Sequence, residues 1–230
     1  VFHLINRKVV ASWNNTFYID ENSSLWGVGV NWHGALGNGD GASRSKFEKV
    51  VSGRVASVGT RDNHSYFIKE DGSLWTFGYN NFGQLGNGTQ VHSPTPVQIE
   101  TSGVVDVSPF WEVTIYVKSD GSLWGMGRNP GGRLGDGSTT DRHQPVRIIE
   151  SNVRAIALGH SHSLFLKTDG SLWGMGRNLN GQLGLGHTNI QTNPVQIISK
   201  NVLAMVAGHK HSLFIKNDGS LWGMGRNLNG

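Results

Sequence analysis

Cysteine does not occur anywhere in the 230 residues. That excludes a disulfide framework, a thiol nucleophile and a cysteine-based metal site, and it leaves the compartment open. No apolar run approaches the ~20 residues that a membrane-spanning helix needs. No membrane association is therefore expected. No signal-peptide pattern is visible, and the chain opens on Val1 rather than Met, which reads as a processed or excised piece. Charged residues make up only 16% of the chain, with a net charge of +4. The lysines and arginines are dispersed, which argues against nucleic acid as a partner. Apolar residues at helical spacing are missing over any useful length. What abounds is glycine, at 33 residues.

The glycines are periodic. The triplet Ser-Leu-Trp recurs five times, with its indole at Trp26, Trp75, Trp124, Trp173 and Trp222, each 49 residues after the last. A fixed period of this length signals stacked supersecondary units. Asn31, Asn80, Asn129, Asn178 and Asn227 keep the same phase, as do Leu36, Leu85, Leu134 and Leu183, each followed by Gly-x-Gly. Five full periods exceed the chain length, so the array is cut inside a repeat at its ends.

One repeat reads as four short strands. VRAIAL (153–158) and HSLFLKT (162–168) alternate, Asp169-Gly170 supplies a hairpin turn, SLWGMGRN (171–178) follows, and PVQII (194–198) ends the unit. Four-stranded sheets repeated radially make a β-propeller. The expected fold is therefore all-β: a propeller of antiparallel four-stranded blades with about five blades, four complete plus partial terminal pieces, or a segment of a larger propeller. The whole chain, 1–230, is a single array. Within SLWGMGRN one face carries Leu172, Gly174 and Gly176, and the other carries Trp173, Met175 and Arg177. The glycine face admits close approach, and the indoles of Trp75, Trp124 and Trp173 are expected to lie mostly buried between blades. Val1–Val10 is expected to complete the blade that contains residues 220–227. Failing that, copies of the chain would associate through open blade edges.

The stretch HSLFLKTDGSLWGMGRNLNGQLGLG resembles the repeat of the regulator-of-chromosome-condensation family, through its G-x-x-x-x-G-Q-L-G-x-G and G-H-x-H-S patterns. The resemblance spans essentially the whole chain and implies a β-propeller, usually of seven blades. It says less about function, because the family includes nucleotide-exchange factors for small GTPases, ubiquitin-ligase modules and secreted bacterial inhibitors.

Several chemical readings fall to the repeat itself. Gly-x-Gly stretches suggest a phosphate cradle, but no helix N-terminus follows them. His160 with His162, and His209 with His211, give too few ligands for zinc. A hydroxyl always follows the second of these positions (Thr16, Ser65, Thr114, Ser163, Ser212), which suggests a backbone hydrogen bond inside the blade. Arg128, Arg177 and Arg226 form an arc better read as guanidinium groups packed on aromatic surface between blades than as an anion site. No nucleophile elbow or distinct carboxylate pair stands out. The chain is expected to be no enzyme and to need no cofactor or metal.

Function should lie where the copies differ. The residues inside Asn-x-x-Gly read Trp32-His33, Asn81-Phe82, Pro130-Gly131 and Leu179-Asn180. Those before the second strand include Trp13, Arg61-Asp62 and Phe110-Trp111-Glu112. Because strands alternate direction, both loop sets emerge on one rim, opposite the Asp-Gly hairpins. The candidate binding residues are Trp13, Trp32, His33, Arg61, Asp62, Phe82, Phe110, Trp111 and Glu112, an aromatic and charged mixture typical of binding hot spots. The expected function is a non-enzymatic protein-interaction module. The alternatives are a carbohydrate-binding propeller, a nucleotide-exchange factor, and a designed or excised array without a partner. A lectin would repeat its binding residues in each blade, and an exchange factor would lean on an insertion that the unbroken period leaves no room for.

Overall fold

The computed structural model describes residues 8–61 and 63–228. Blade one holds β1 (Val9–Ala11), β2 (Asn15–Ile19), β3 (Leu25–Gly29) and β4 (Arg44–Val51). Blade two holds β5 (Val55–Arg61), β6 (His64–Lys69), β7 (Leu74–Gly78) and β8 (Ser93–Glu100). Blade three holds β9 (Val104–Phe110), β10 (Val113–Lys118), β11 (Leu123–Gly127) and β12 (Arg142–Ile149). Blade four holds β13 (Val153–Leu158), β14 (His162–Lys167), β15 (Leu172–Gly176) and β16 (Gln191–Ile198). Blade five holds three described strands, β17 (Val202–Ala207), β18 (His211–Lys216) and β19 (Leu221–Gly225). Neighbouring strands in every blade are consecutive and antiparallel, as a propeller of up-and-down blades requires.

The expected closing strand does not close the last blade within the described residues. Val9, Val10 and Ala11 pair with Tyr18, Phe17 and Thr16, so this segment is the first strand of blade one. The first seven residues lie outside the described residues. The hairpin is the nearer partner, because a three-residue turn costs far less loop entropy than spanning the molecule.

Four hydrophobic clusters fill the four junctions between successive blades. Phe17, Leu25 and Leu36 meet Val58, Phe67 and Phe77 at the first, and Leu164, Leu172 and Leu183 meet Val202 and Phe214 at the last. Trp75, Trp124 and Trp173 are mostly buried, as expected, but they border the junction clusters rather than fill their centres. Each indole stacks on an aromatic ring of the adjacent strand in its own blade, as Phe165 does under Trp173 at 6.1 Å, and a lysine ammonium caps it, Lys167 at 4.2 Å. The residue two positions on seals the junction instead: Phe77, Met126 and Met175 are fully buried. Met175 presses so closely on the preceding blade that a Cβ on Gly135 would lie 2.5 Å from its sulfur. The bare glycine face of β15 is filled from within its own blade, since a Cβ on Gly174 would meet Leu183 and Ile197.

The Asp-Gly-Ser-Leu-Trp string forms a local relay. Asp169 accepts from the Ser171 backbone N–H at 2.9 Å and from its hydroxyl at 2.6 Å, and that hydroxyl accepts the Trp173 indole N–H at 2.8 Å. The Asp71, Asp120 and Asp218 hairpins also bind the N–H of their serine, and each indole N–H reaches that serine's hydroxyl. Among the described residues nothing covers the far face of blade five. Leu221 is 65% exposed, whereas Leu25, Leu74, Leu123 and Leu172 at its phase are sealed.

Candidate interaction face

Two sets of hydrogen bonds decide where the variable residues stand. In each blade a carbonyl of the loop before the second strand accepts the N–H of the segment after the third. Val30 N–H binds the Asn14 carbonyl, Tyr79 that of Asn63, Arg128 that of Glu112, Arg177 that of Ser161 and Arg226 that of Lys210, all at 2.8–2.9 Å. This ties both variable loop sets to one end of every sheet. The repeated asparagine then shapes the Asn-x-x-Gly turn. Asn31, Asn80, Asn129 and Asn178 are fully buried, and their Oδ1 atoms accept the N–H of Leu36, Leu85, Leu134 and Leu183 at 2.8–2.9 Å. Their Nδ2 groups donate to carbonyls further along the same loop. Asn is fixed because it alone satisfies both sides, and the two residues after it are left free.

The hydroxyl after the β-strand histidines works across blades rather than within one, correcting the expectation. Ser65, Thr114, Ser163 and Ser212 donate to the carbonyls of Ala35, Gln84, Arg133 and Gln182, each in the preceding blade, at 2.7–3.1 Å. His64 and His162, both buried, reach the Thr114 and Ser212 hydroxyls of the following blade at 3.3 and 2.8 Å. These hydroxyl protons are committed to carbonyls, so at His162 the imidazole Nε2 carries the donating proton, while the His64 ring also meets the Trp111 backbone. Burial pushes both imidazoles down to about 4. They are structural latches. Among the described residues no three His, Cys, Asp or Glu side chains group as metal ligands would.

On the rim, Trp13, His33, Trp111 and Glu112 line one cavity of about 430 Å³ together with Asn14, Asn63 and Tyr79. Trp13 is 86% exposed and Trp111 45%. Trp111 and His33 have φ of +50° and +59°. Bulky residues rarely occupy this left-handed region, and a strained conformation at a loop tip is a pointer to function. Trp32 is exposed in the short 3₁₀ turn Trp32–Gly34 but does not line this cavity. Phe82 and Phe110 are half-buried platforms, the first under the Arg128 guanidinium at 4.7 Å and the second under Arg61 at 4.5 Å. The packed reading of the arginine arc thus holds at Arg128, which also pairs with Glu112 at 2.7 Å. Asp62 lies outside the described residues.

A second cavity of about 240 Å³ shares Trp111 and Glu112 and adds Arg128, Pro130, Arg133, His160, Ser161 and Arg177. His160 stacks on His209 at 4.0 Å and meets the edge of Trp111 at 5.4 Å. Burial, and then the neighbouring His209, hold the His160 imidazole below its ordinary value. Sequence reasoning passed over Arg133. Its phase reads Ala35, Gln84, Arg133 and Gln182, so the lone charge was visible in the comparison of copies.

A family model described as the regulator of chromosome condensation (RCC1) repeat matches residues 71–109, 120–166 and 169–215, more than half of the chain. A second model of the same repeat matches 55–84, 153–182 and 202–230. The chain belongs to the RCC1 repeat family. No curated protein sequence matches it. Among solved structures, human WBSCR16 superposes with a TM-score of 0.78 at 20% identity, covering 96% of this chain and 62% of that one. Prp20p, the RCC1 of Saccharomyces cerevisiae, gives 0.78 at 22% identity, with 96% and 57% covered. The same yeast protein bound to Kap60 gives 0.77 at 23%, with 96% and 56% covered. This RCC1-repeat chain therefore spans less than two thirds of the length of these structures, and at such identities the likeness establishes the propeller fold.

Proposed function

We propose that this RCC1-repeat chain is a non-enzymatic protein-interaction module whose variable rim holds another protein through Trp13, Trp32, His33, Trp111 and Glu112, with Arg61 on Phe110 and Phe82 beneath Arg128 as supports. The observation that carries the reading is the gathering of exposed Trp13 and Trp111 with His33 around one 430 Å³ cavity, on loops the scaffold leaves unconstrained. Exposed aromatics bordering a concave surface are the usual anchors of protein interfaces. The relatives point the same way. One solved structure holds yeast RCC1 (Prp20) bound to Kap60, and another concerns the binding properties of Prp20p to Gsp1p and histones. A sugar-binding propeller would need like residues at like places. The phase of Trp13 reads Asp62, Trp111, His160 and His209 instead.

The test compares capture from native extract by the wild-type chain, by Trp13→Ala/Trp111→Ala, and by Lys69→Ala on the hairpin side. A protein retained by the first and third baits and lost from the second supports the rim. Identical capture by all three overturns it, and equal occupancy of a simple sugar in several blades favours the lectin reading.

A further inference from the structure

Arg133 is 4% exposed, yet it forms no ion pair among the described residues, and Glu112 and Asp141 act on it only through space. Its Nε donates to the Arg128 carbonyl at 2.8 Å and its Nη1 to the His160 carbonyl at 2.9 Å, while Nη2 donates to no acceptor among the described residues. The nearest acid in the cavity, Glu112, is already held by Arg128. Arg177 crosses the Pro130-Gly131 turn, where a Cβ on Gly131 would lie 2.6 Å from its Cγ, so its guanidinium is carried to the same cavity. Buried charges are normally paired, because desolvating a lone one is costly. The scaffold does not ask for this charge. The same position is Gln84 and Gln182 in the flanking repeats, both buried, and Glu112 likewise stands where the other copies have Asn14, Asn63, Ser161 and Lys210.

We propose that the 240 Å³ cavity beneath Trp111 receives a carboxylate side chain from an acidic segment of the protein partner, with Arg133 and Arg177 as its donors. The proposal rests on the rim being a protein-binding face and specifies the chemistry of its deepest subsite. With Arg128 occupied by Glu112, the free donors suit one monoanion, and a guanidinium fork matches a carboxylate in plane and spacing. A nucleic-acid backbone would require a continued track of cations, whereas Glu112 and the aromatic cavity of Trp13 and His33 interrupt the rim at this point.

The probe is a fluorescent Glu-rich decapeptide titrated at low salt, beside its Gln counterpart, inorganic phosphate and a single-stranded oligonucleotide. Arg133→Gln installs the residue of the flanking repeats, and Arg54→Gln removes the same charge at the hairpin end. The wild type and Arg54→Gln should bind the acidic peptide equally, Arg133→Gln at least tenfold more weakly, and the Gln peptide should not bind. If Arg133→Gln fails to fold, the exposed Arg177→Gln carries the test, with a loss of several fold expected. Equal binding by Arg133→Gln and Arg54→Gln, binding of the Gln peptide, or tighter binding of phosphate or oligonucleotide overturns the proposal. Partner capture lost in Trp111→Ala but intact in Arg133→Gln sinks the subsite and spares the rim; capture intact in both sinks the rim reading itself.

Discussion

Mild acid should weaken this propeller through His64 and His162. The Nε2 of each ring reaches a hydroxyl of the next blade, and the Nδ1 of His162 faces no hydrogen-bond partner. Protonation would place a charge in that sealed junction. The folded-state value is about 4 for both, against an ordinary 6.5. The unfolded chain therefore takes up protons as pH falls through 6.5, while the folded chain resists until about 4. The contribution to stability is complete above pH 6.5 and drains between 6.5 and 4. At 1.36 kcal/mol per pKa unit, each ring contributes about 3 kcal/mol across the window and about 2 kcal/mol between pH 7 and pH 5. Two rings make about 4 kcal/mol, a large part of the ~5–15 kcal/mol that holds an ordinary domain folded. The assay is urea unfolding of the wild type and of His64→Val/His162→Val at pH 7 and pH 5. Valine is chosen because Val113 occupies the same phase in blade three and is fully buried there. The wild type should lose about 4 kcal/mol and the double variant much less, with a residual slope from His92 and His160, whose values burial also lowers. An equal loss in both proteins would refute the latch and its pH logic.

The remaining predictions concern scaffold and rim. Met175→Ala should cost about 2–5 kcal/mol as a core truncation, and more than Trp173→Ala, since Trp173 lies at the edge of the junction; calorimetry that reverses the order would restore the indole as the main seal. Asn129→Ala, which strands the Leu134 N–H and the Ser138 carbonyl, should cost about 3 kcal/mol in denaturant unfolding, at ~1–3 kcal/mol per orphaned buried group. Trp111→Gly should raise stability by about 1 kcal/mol by relieving its left-handed backbone, while weakening partner binding.

Much of this architecture was readable because the repeat supplies its own comparison. The 49-residue spacing of the indoles, the Asp-Gly hairpins and the alternation of HSLFLK lead directly to the four-stranded blades. What one repeat cannot say is which blade a side chain addresses. Ser163 looks like a local hydrogen-bonding residue, and only the stacking of blades reveals that its acceptor is the Arg133 carbonyl of the blade before. The indole of Trp173 looks like core by size, but Lys167 and Ser171 draw its edge to the surface while the slimmer Met175 enters the junction. Strand direction correctly anticipates one rim for both loop sets, whose cross-links run from Asn14 to Val30 and onward. The depth of the rim was not legible, because Arg133 reads as a glutamine replacement until its burial without a contact ion pair among the described residues and the cavity before it are seen together.

The central claim is a division of labour: invariant letters hold the blades and variable letters meet the partner. Its most direct test is to measure, on one Trp13→Ala/Trp111→Ala protein, both the dissociation constant for the captured partner and the unfolding midpoint. We predict a dissociation constant at least 30-fold higher, about 2 kcal/mol, with the midpoint unchanged. An unchanged dissociation constant with a depressed midpoint would make these tryptophans part of the scaffold and contradict the account.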